Sequence, residues 1–251
     1  MWPAQPSSIS TDQLWRWIHT ERRRLRVLLE QLPEADWYAP SLCTGWEVRH
    51  VAAHVVSSPA ARPADVVAAL VRGRGNFNRA VYLEALRLGS RPAAQILADL
   101  RRYDGARSRP ILTTRWDPLV DVLVHSQDIA VPLGLAHPMP AEPARAAAAH
   151  VWAAPFPFRA RRRLRGFRLS AADTDWSAGS GPAVRGPIAA LLLLLTGRTA
   201  LLPQLEGEGA EILLRRQPRP PGLSSTGVHH EHPRPNPHRT DRPGPGDHVD
   251  S

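Results

Sequence analysis

Lysine is absent from all 251 residues, so every one of the 32 basic side chains is an arginine. Arg, Ala, Pro and Gly are the products of GC-rich codons, and the missing lysine reads as codon bias. That weakens the usual step from a formal net charge of +9 and a pI near 11.2 to nucleic-acid binding. Cysteine is nearly absent as well. The single Cys43 excludes an intramolecular disulfide framework and any zinc site built from several thiolates. No apolar run is long: Ile188 to Leu195 falls far short of the roughly 20 residues that span a bilayer. The first residues, MWPAQPSSISTDQ, hold no basic segment followed by an apolar one, so no signal peptide is read there. The expectation is a soluble, cytoplasmic protein with no membrane partner.

What is present is helical period. Ser10 to Leu32 places Leu14, Trp17, Ile18, Leu25, Leu28 and Leu32 on one side behind a Ser10 cap, with Glu21–Arg24 read as part of a solvated face. Thr44-Gly-Trp-Glu47 has capping-box spacing and opens a helix to about Val56, carrying His50 and His54 one turn apart. Further helical patterns run from Pro63, through Phe77 to Leu88, and from Ala93 to Tyr103. Asp117 and Pro118 then form an N-terminal signal for a helix that Pro132 and Gly134 stop. These pieces predict a bundle of four or five antiparallel helices over residues 10–138. Residues 141–216 change character: an Ala-rich helix, a basic joint APFPFRARRRLRG, strand-like Gly166–Ser170 and Ala210–Leu214, and an apolar helix Pro187–Leu195. They predict a small α+β domain. Residues 217–251, rich in Pro, His and Arg with almost nothing to bury, predict a disordered tail.

Asp121, His125 and Asp128 recur at i, i+4 and i+7 and so project from one side of their helix. A carboxylate and an imidazole on adjacent turns can face one metal ion, although a lone DxxxH is more often a solvated pair. His54, in an otherwise apolar stretch, supplies a third candidate ligand, and its bland alternative is a satisfied core histidine. His54, Asp121 and His125 together would suit zinc or another divalent ion and leave a position open, as catalytic sites do. His50 is a rival ligand, and the histidines at 229, 230, 232, 238 and 248 could hold metal adventitiously. Cys43 is an alternative nucleophile, its thiol near a helix N-terminus but with no evident general base; a structural role is favoured.

Gly45–Val56, GWEVRHVAAHVV, resembles the GW-x-V-x-x-x-x-x-H helix of the DinB-like superfamily. Asp121–Gly134, DVLVHSQDIAVPLG, is similar to the (D/E)-x-x-x-H-x-x-D helix of its actinobacterial branch, the mycothiol-dependent maleylpyruvate isomerase family. Ala172-Asp173, Trp176, Gly181-Pro182, Gly186, LLLLLTGR and LEGEG resemble that family's small C-terminal domain. The likeness runs from about residue 10 to 215. It implies a DinB-type up-down four-helix bundle with a divalent metal, typically zinc, on His54, Asp121 and His125. Asp121 stands where the isomerase has Glu, and His50 where the family usually has an acidic residue. Arg198 matches an arginine that reaches toward substrate.

The resemblance further implies mycothiol as the thiol. Its metal-bound thiolate would add to a small electrophile, in isomerisation or thiol transfer, with an arginine such as Arg198 clamping substrate carboxylates. The rival reading is a metal-binding sensor or interaction module without catalysis, in a monomer or homodimer. Nucleic-acid binding through Arg159–Arg165 is the weakest reading, since no recognition motif accompanies those arginines.

Overall fold

The computed structural model describes residues 9–111 and 113–217. The first helix, α1 (Thr11–Glu30), starts where Ser10 Oγ accepts from the Gln13 N–H. It is followed by a 3₁₀ turn (Glu34–Tyr38), then α2 (Val48–Ala60), α3 (Pro63–Arg72), α4 (Phe77–Gly89), α5 (Ala93–Arg102), α6 (Asp117–Ala130) and α7 (Ala141–Ala153). A short α8 (Ala160–Arg163) precedes the strands β1 (Arg168–Ala171), β2 (Ser177–Gly179) and β3 (Ala183–Gly186). The apolar α9 (Ile188–Leu195) and α10 (Glu208–Arg215) complete the order. Helix α1 packs on α5 and α6, and α2 on α4, α5 and α6. In the sheet β1 is central, antiparallel to β2 and parallel to β3, with Leu169 opposite both Ala178 and Val184.

Two apolar clusters hold these elements. One joins Leu25 and Leu29 of α1 to Val51 and Val55 of α2, Ile96 and Leu100 of α5, and Val122 and Ile129 of α6. The other joins Leu14, Trp15 and Ile18 of α1 and Leu119, Val120 and Leu123 of α6 to α7, α9, Leu169 and Val184. Helix α6 therefore supplies side chains to both. All its residues are buried except Asp117, Asp121 and His125, which are only partly accessible. Their spacing of four leaves one narrow accessible stripe on an otherwise enclosed helix.

Several local expectations change. The segment Ala210–Leu214 is helix, not strand: Gly207 (φ +98°) turns the chain, Glu208 and Glu211 suit the first turn, and Ala210 and Leu213 are buried at helical spacing. The α2 cap is Glu47 and not Thr44, because the Glu47 N–H donates to His50 Nδ1 at 3.0 Å and Gly45 (φ +78°) makes the turn before it. That helix also runs past Ser57, Ser58 and Pro59 to Ala60. Trp116 takes the position before α6 that Asp117 was expected to fill; Asp117 instead accepts from the Thr114 N–H at 2.5 Å and lies 3.4 Å from His150 Nε2. Glu21 and Arg22 are buried, not solvated. Of the tail expected from residue 217, everything after Gln217 lies outside the described residues.

Gly89 ends α4 directly against His50, where an added Cβ would lie 2.5 Å from His50 Cδ2 and 2.7 Å from its Cα. Gly89→Ala is expected to force α2 and α4 apart at a loss of about 1–3 kcal/mol, read as a melting temperature lower by several degrees.

Candidate metal centre

Helix α2 carries His54 and helix α6 carries Asp121 and His125, and the packing of these two helices brings the three together. His54 Nε2 lies 3.2 Å and His125 Nε2 3.3 Å from the same oxygen, Asp121 Oδ1. The two imidazoles meet edge to face with centroids 4.9 Å apart. One ligand atom from each residue falls within 4.8 Å of the others. Two imidazole nitrogens and one carboxylate oxygen that converge in this way, on partly accessible side chains, fit a divalent ion such as zinc with room for a further ligand. The shorter Asp121 side chain still reaches both histidines.

The electrostatics point the same way. Burial works against the charged form of Asp121, but His54 and His125 hold its carboxyl well below the usual carboxylate range. Burial also works against a charged His125, yet Asp121, Asp128 and Cys43 raise it well above an ordinary histidine. A place where Asp121 stays ionised and a proton is held this firmly on His125 is one in which a cation is welcome.

Behind His125 stands a second group that spacing alone does not reveal. Asp128 is fully buried and its Oδ2 accepts from His125 Nδ1 at 2.8 Å. An ionised carboxylate can only accept, so Nδ1 keeps its proton on Asp128, and Nε2, whose own proton faces Asp121, is the nitrogen that a metal ion would take by displacing that proton. Asp128 is itself gripped by Arg198, Nε to Oδ1 at 3.0 Å and Nη2 to Oδ2 at 2.7 Å. Burial opposes the charge on each, but each holds the other, and His125 holds Asp128, in the ionised form. Cys43 completes the group: Sγ donates to Asp128 Oδ2 at 3.1 Å, and lies 3.4 Å from Arg198 Nη2 and 3.7 Å from His125 Nδ1. Cys43 thus has the basic neighbour that its sequence surroundings do not display.

The turn that delivers Arg198 is dictated locally. Asp173 Oδ1 accepts from the Ile188 N–H and starts α9. At the other end the Gly197 and Arg198 N–H groups bond Leu194 and Leu193, with Gly197 at φ +96°. This is a Schellman closure, and it throws the residue after the glycine back across the helix end. Arg198 therefore reaches Asp128 of α6, not open solvent.

Trp46 lies in ring contact with both histidines, with centroids 5.2 Å from His54 and 6.2 Å from His125, and Tyr82 stacks on Trp46 with centroids 6.4 Å apart. His50 stays outside the ligand cluster, because its Nδ1 is occupied as the cap of α2; burial lowers its pKa, so it accepts that bond in the neutral form. At the basic joint, Arg163 of α8 donates to the carbonyls of Phe158 and Leu194.

Residues 18–109 match the family model described as the mycothiol maleylpyruvate isomerase N-terminal domain. The stretch carries this family's N-terminal domain. His54 falls inside the match to the isomerase family, while Asp121, His125 and Arg198 lie beyond it. Two solved structures are similar: the mycothiol-dependent maleylpyruvate isomerase and a histidine-to-alanine mutant of it. Each has a TM-score of 0.58 at 15% identity, over 86% of this chain and 98% of theirs. At that identity the likeness is one of fold. Comparison with curated proteins gives no match. No helix among the described residues is long and apolar enough to cross a membrane.

Proposed function

We propose that the chain is a divalent-metal- and thiol-dependent enzyme acting on a small electrophile, with mycothiol as the thiol and zinc as the metal. His54, Asp121 and His125 would hold the ion. The observation that carries this reading is the meeting of His54 Nε2, Asp121 Oδ1 and His125 Nε2 on the one accessible stripe of α6, with the second nitrogen of His125 committed to Asp128. An ion bound there supplies a Lewis-acid position that favours the thiolate form of a thiol. The chain's own residues do the rest. Asp128 fixes the ring and tautomer of His125, Arg198 fixes Asp128, and Trp46 walls the two imidazoles with an apolar face. Arg198 then acts as a positioning residue, because its guanidinium is already divided among Asp128, Thr196 O and Cys43. The helices α1, α2, α5 and α6 are read as the four-helix bundle of this fold.

The test is turnover of maleylpyruvate by the zinc-loaded protein with and without mycothiol. Isomerisation that needs both metal and thiol is the expected result. Stoichiometric zinc with no thiol-dependent turnover of this or any other cis-enoate would mark a non-catalytic metal-binding module instead.

A further inference from the structure

Among the described residues Arg22 is the one arginine that is buried as a whole residue. It lies on α1, only 6% exposed, yet no carboxylate pairs with it among the described residues. Its one protein acceptor is the carbonyl of Ala106, which takes Nη1 at 3.1 Å, and its Nε is buried with no partner. A guanidinium has five N–H donors, and a buried cation without an anion is costly unless something else arrives to meet it. Structural buried arginines are ordinarily gripped on both edges of the fork, as Arg198 is by Asp128.

Its position explains what arrives. The segment joining α5 to α6 is tied to α1 by the Arg22–Ala106 bond and to the end of α2 by Ser108 Oγ donating to Pro59 O at 2.6 Å. Arg22 itself lies between Ile18 and Leu25 at i, i+4 and i+7 on α1, and these two share their core clusters with Leu119, Val120, Val122 and Leu123 of α6, so its buried side chain is on the face of α1 that meets the turn of α6 bearing Asp121. Burial lowers the pKa of Arg22, and Asp121, then Asp104, are the charges that offset it, neither of them hydrogen-bonded to the guanidinium. Asp121 is therefore near enough to be felt but leaves the guanidinium unbonded. Trp46, against both histidines, has a second unpaired buried donor in Nε1. Arg198, the other arginine of the site, has no edge left to offer.

We propose that Arg22 receives the carboxylate of the electrophile bound at the His54–Asp121–His125 site, and so sets its preference for anionic over neutral substrates. The inference rests on the reading of that site as one for a small electrophile. The carboxylate would take the free Nε edge while Nη1 keeps its bond to Ala106.

The test compares binding of maleate and of its neutral diester, dimethyl maleate, to the zinc-loaded full chain without thiol, by ligand-observed NMR titration. Wild type is expected to bind maleate at least tenfold more tightly than the diester. Arg22→Met, which fills the buried space with an unbranched apolar chain, should weaken maleate at least tenfold and leave the diester within twofold, at unchanged zinc content. Arg22→Lys keeps the charge but loses the planar fork, and should fall between. Equal binding of maleate by wild type and Arg22→Met overturns the proposal, as does a parallel loss of both ligands, which is what a mere strut for Ala106 would give. A wild type that binds the two probes alike overturns it with no variant needed. Because no thiol is present, an absence of thiol-dependent turnover leaves this result intact, and the two readings fail separately.

Discussion

Asp128→Ala is expected to lower stability by about 3–5 kcal/mol, or roughly 10 °C in melting temperature. The reason is that it strands two cations. Arg198, with a side chain only 15% exposed, loses both acceptors of its fork, and His125 loses the acceptor of Nδ1. An uncompensated buried charge is worse than none, so Asp128→Leu combined with Arg198→Met should recover most of the lost stability. The same double variant should not recover metal binding. With neither Asp128 nor Arg198, His125 is free to turn or to change tautomer, and zinc affinity is expected to stay 10- to 100-fold below wild type. Thermal melts and zinc titration on the three proteins separate packing from positioning. If zinc affinity returns together with stability, Asp128 has no orienting role.

Zinc content of the full-length chain is expected to fall by about one ion per chain in His54→Ala and in His125→Ala, and thiol-dependent turnover by three orders of magnitude or more. The difference from wild type is the quantity to read. Five histidines beyond residue 217 are present in all three proteins and add the same background to each. His54→Ala is the cleaner of the two, since His54 bonds only Asp121 through its ring, whereas His125 also supports Asp128 and Cys43. Equal zinc in wild type and both variants would remove the ligand assignment.

His54, Asp121 and His125 are legible in the sequence because helical period alone puts Asp121 and His125 on one side, and a motif in order supplies the helix that faces them. Asp128 is legible as a carboxylate on the same helix, one turn past His125. Its partners are not. Cys43 sits in a loop and Arg198 at a helix end, 85 and 70 residues away, and no spacing rule connects a turn to a helix over that distance. Arg22 is hidden for the opposite reason: inside Glu-Arg-Arg-Arg it has the look of one more solvated arginine, and only the packing of α5 and α6 against α1 encloses it. Ala210–Leu214 is a five-residue segment with four apolar residues, too short for period to separate strand from helix. The capping residue of α2 moved from Thr44 to Glu47 because a histidine three residues on served as acceptor, a pairing outside the usual Ser/Thr-x-x-Glu pattern.

The grip of Arg198 on Asp128 also sets an order of events during synthesis. A chain made from its N-terminus at roughly 5–20 residues per second has both histidines of the α2–α6 meeting out for several seconds before Arg198 follows. Until then the fully buried place of Asp128 in the core would hold a carboxylate without its arginine. Asp128 gains the buried partner that neutralises it only once α9 and the glycine turn after it are present to bring Arg198 into place.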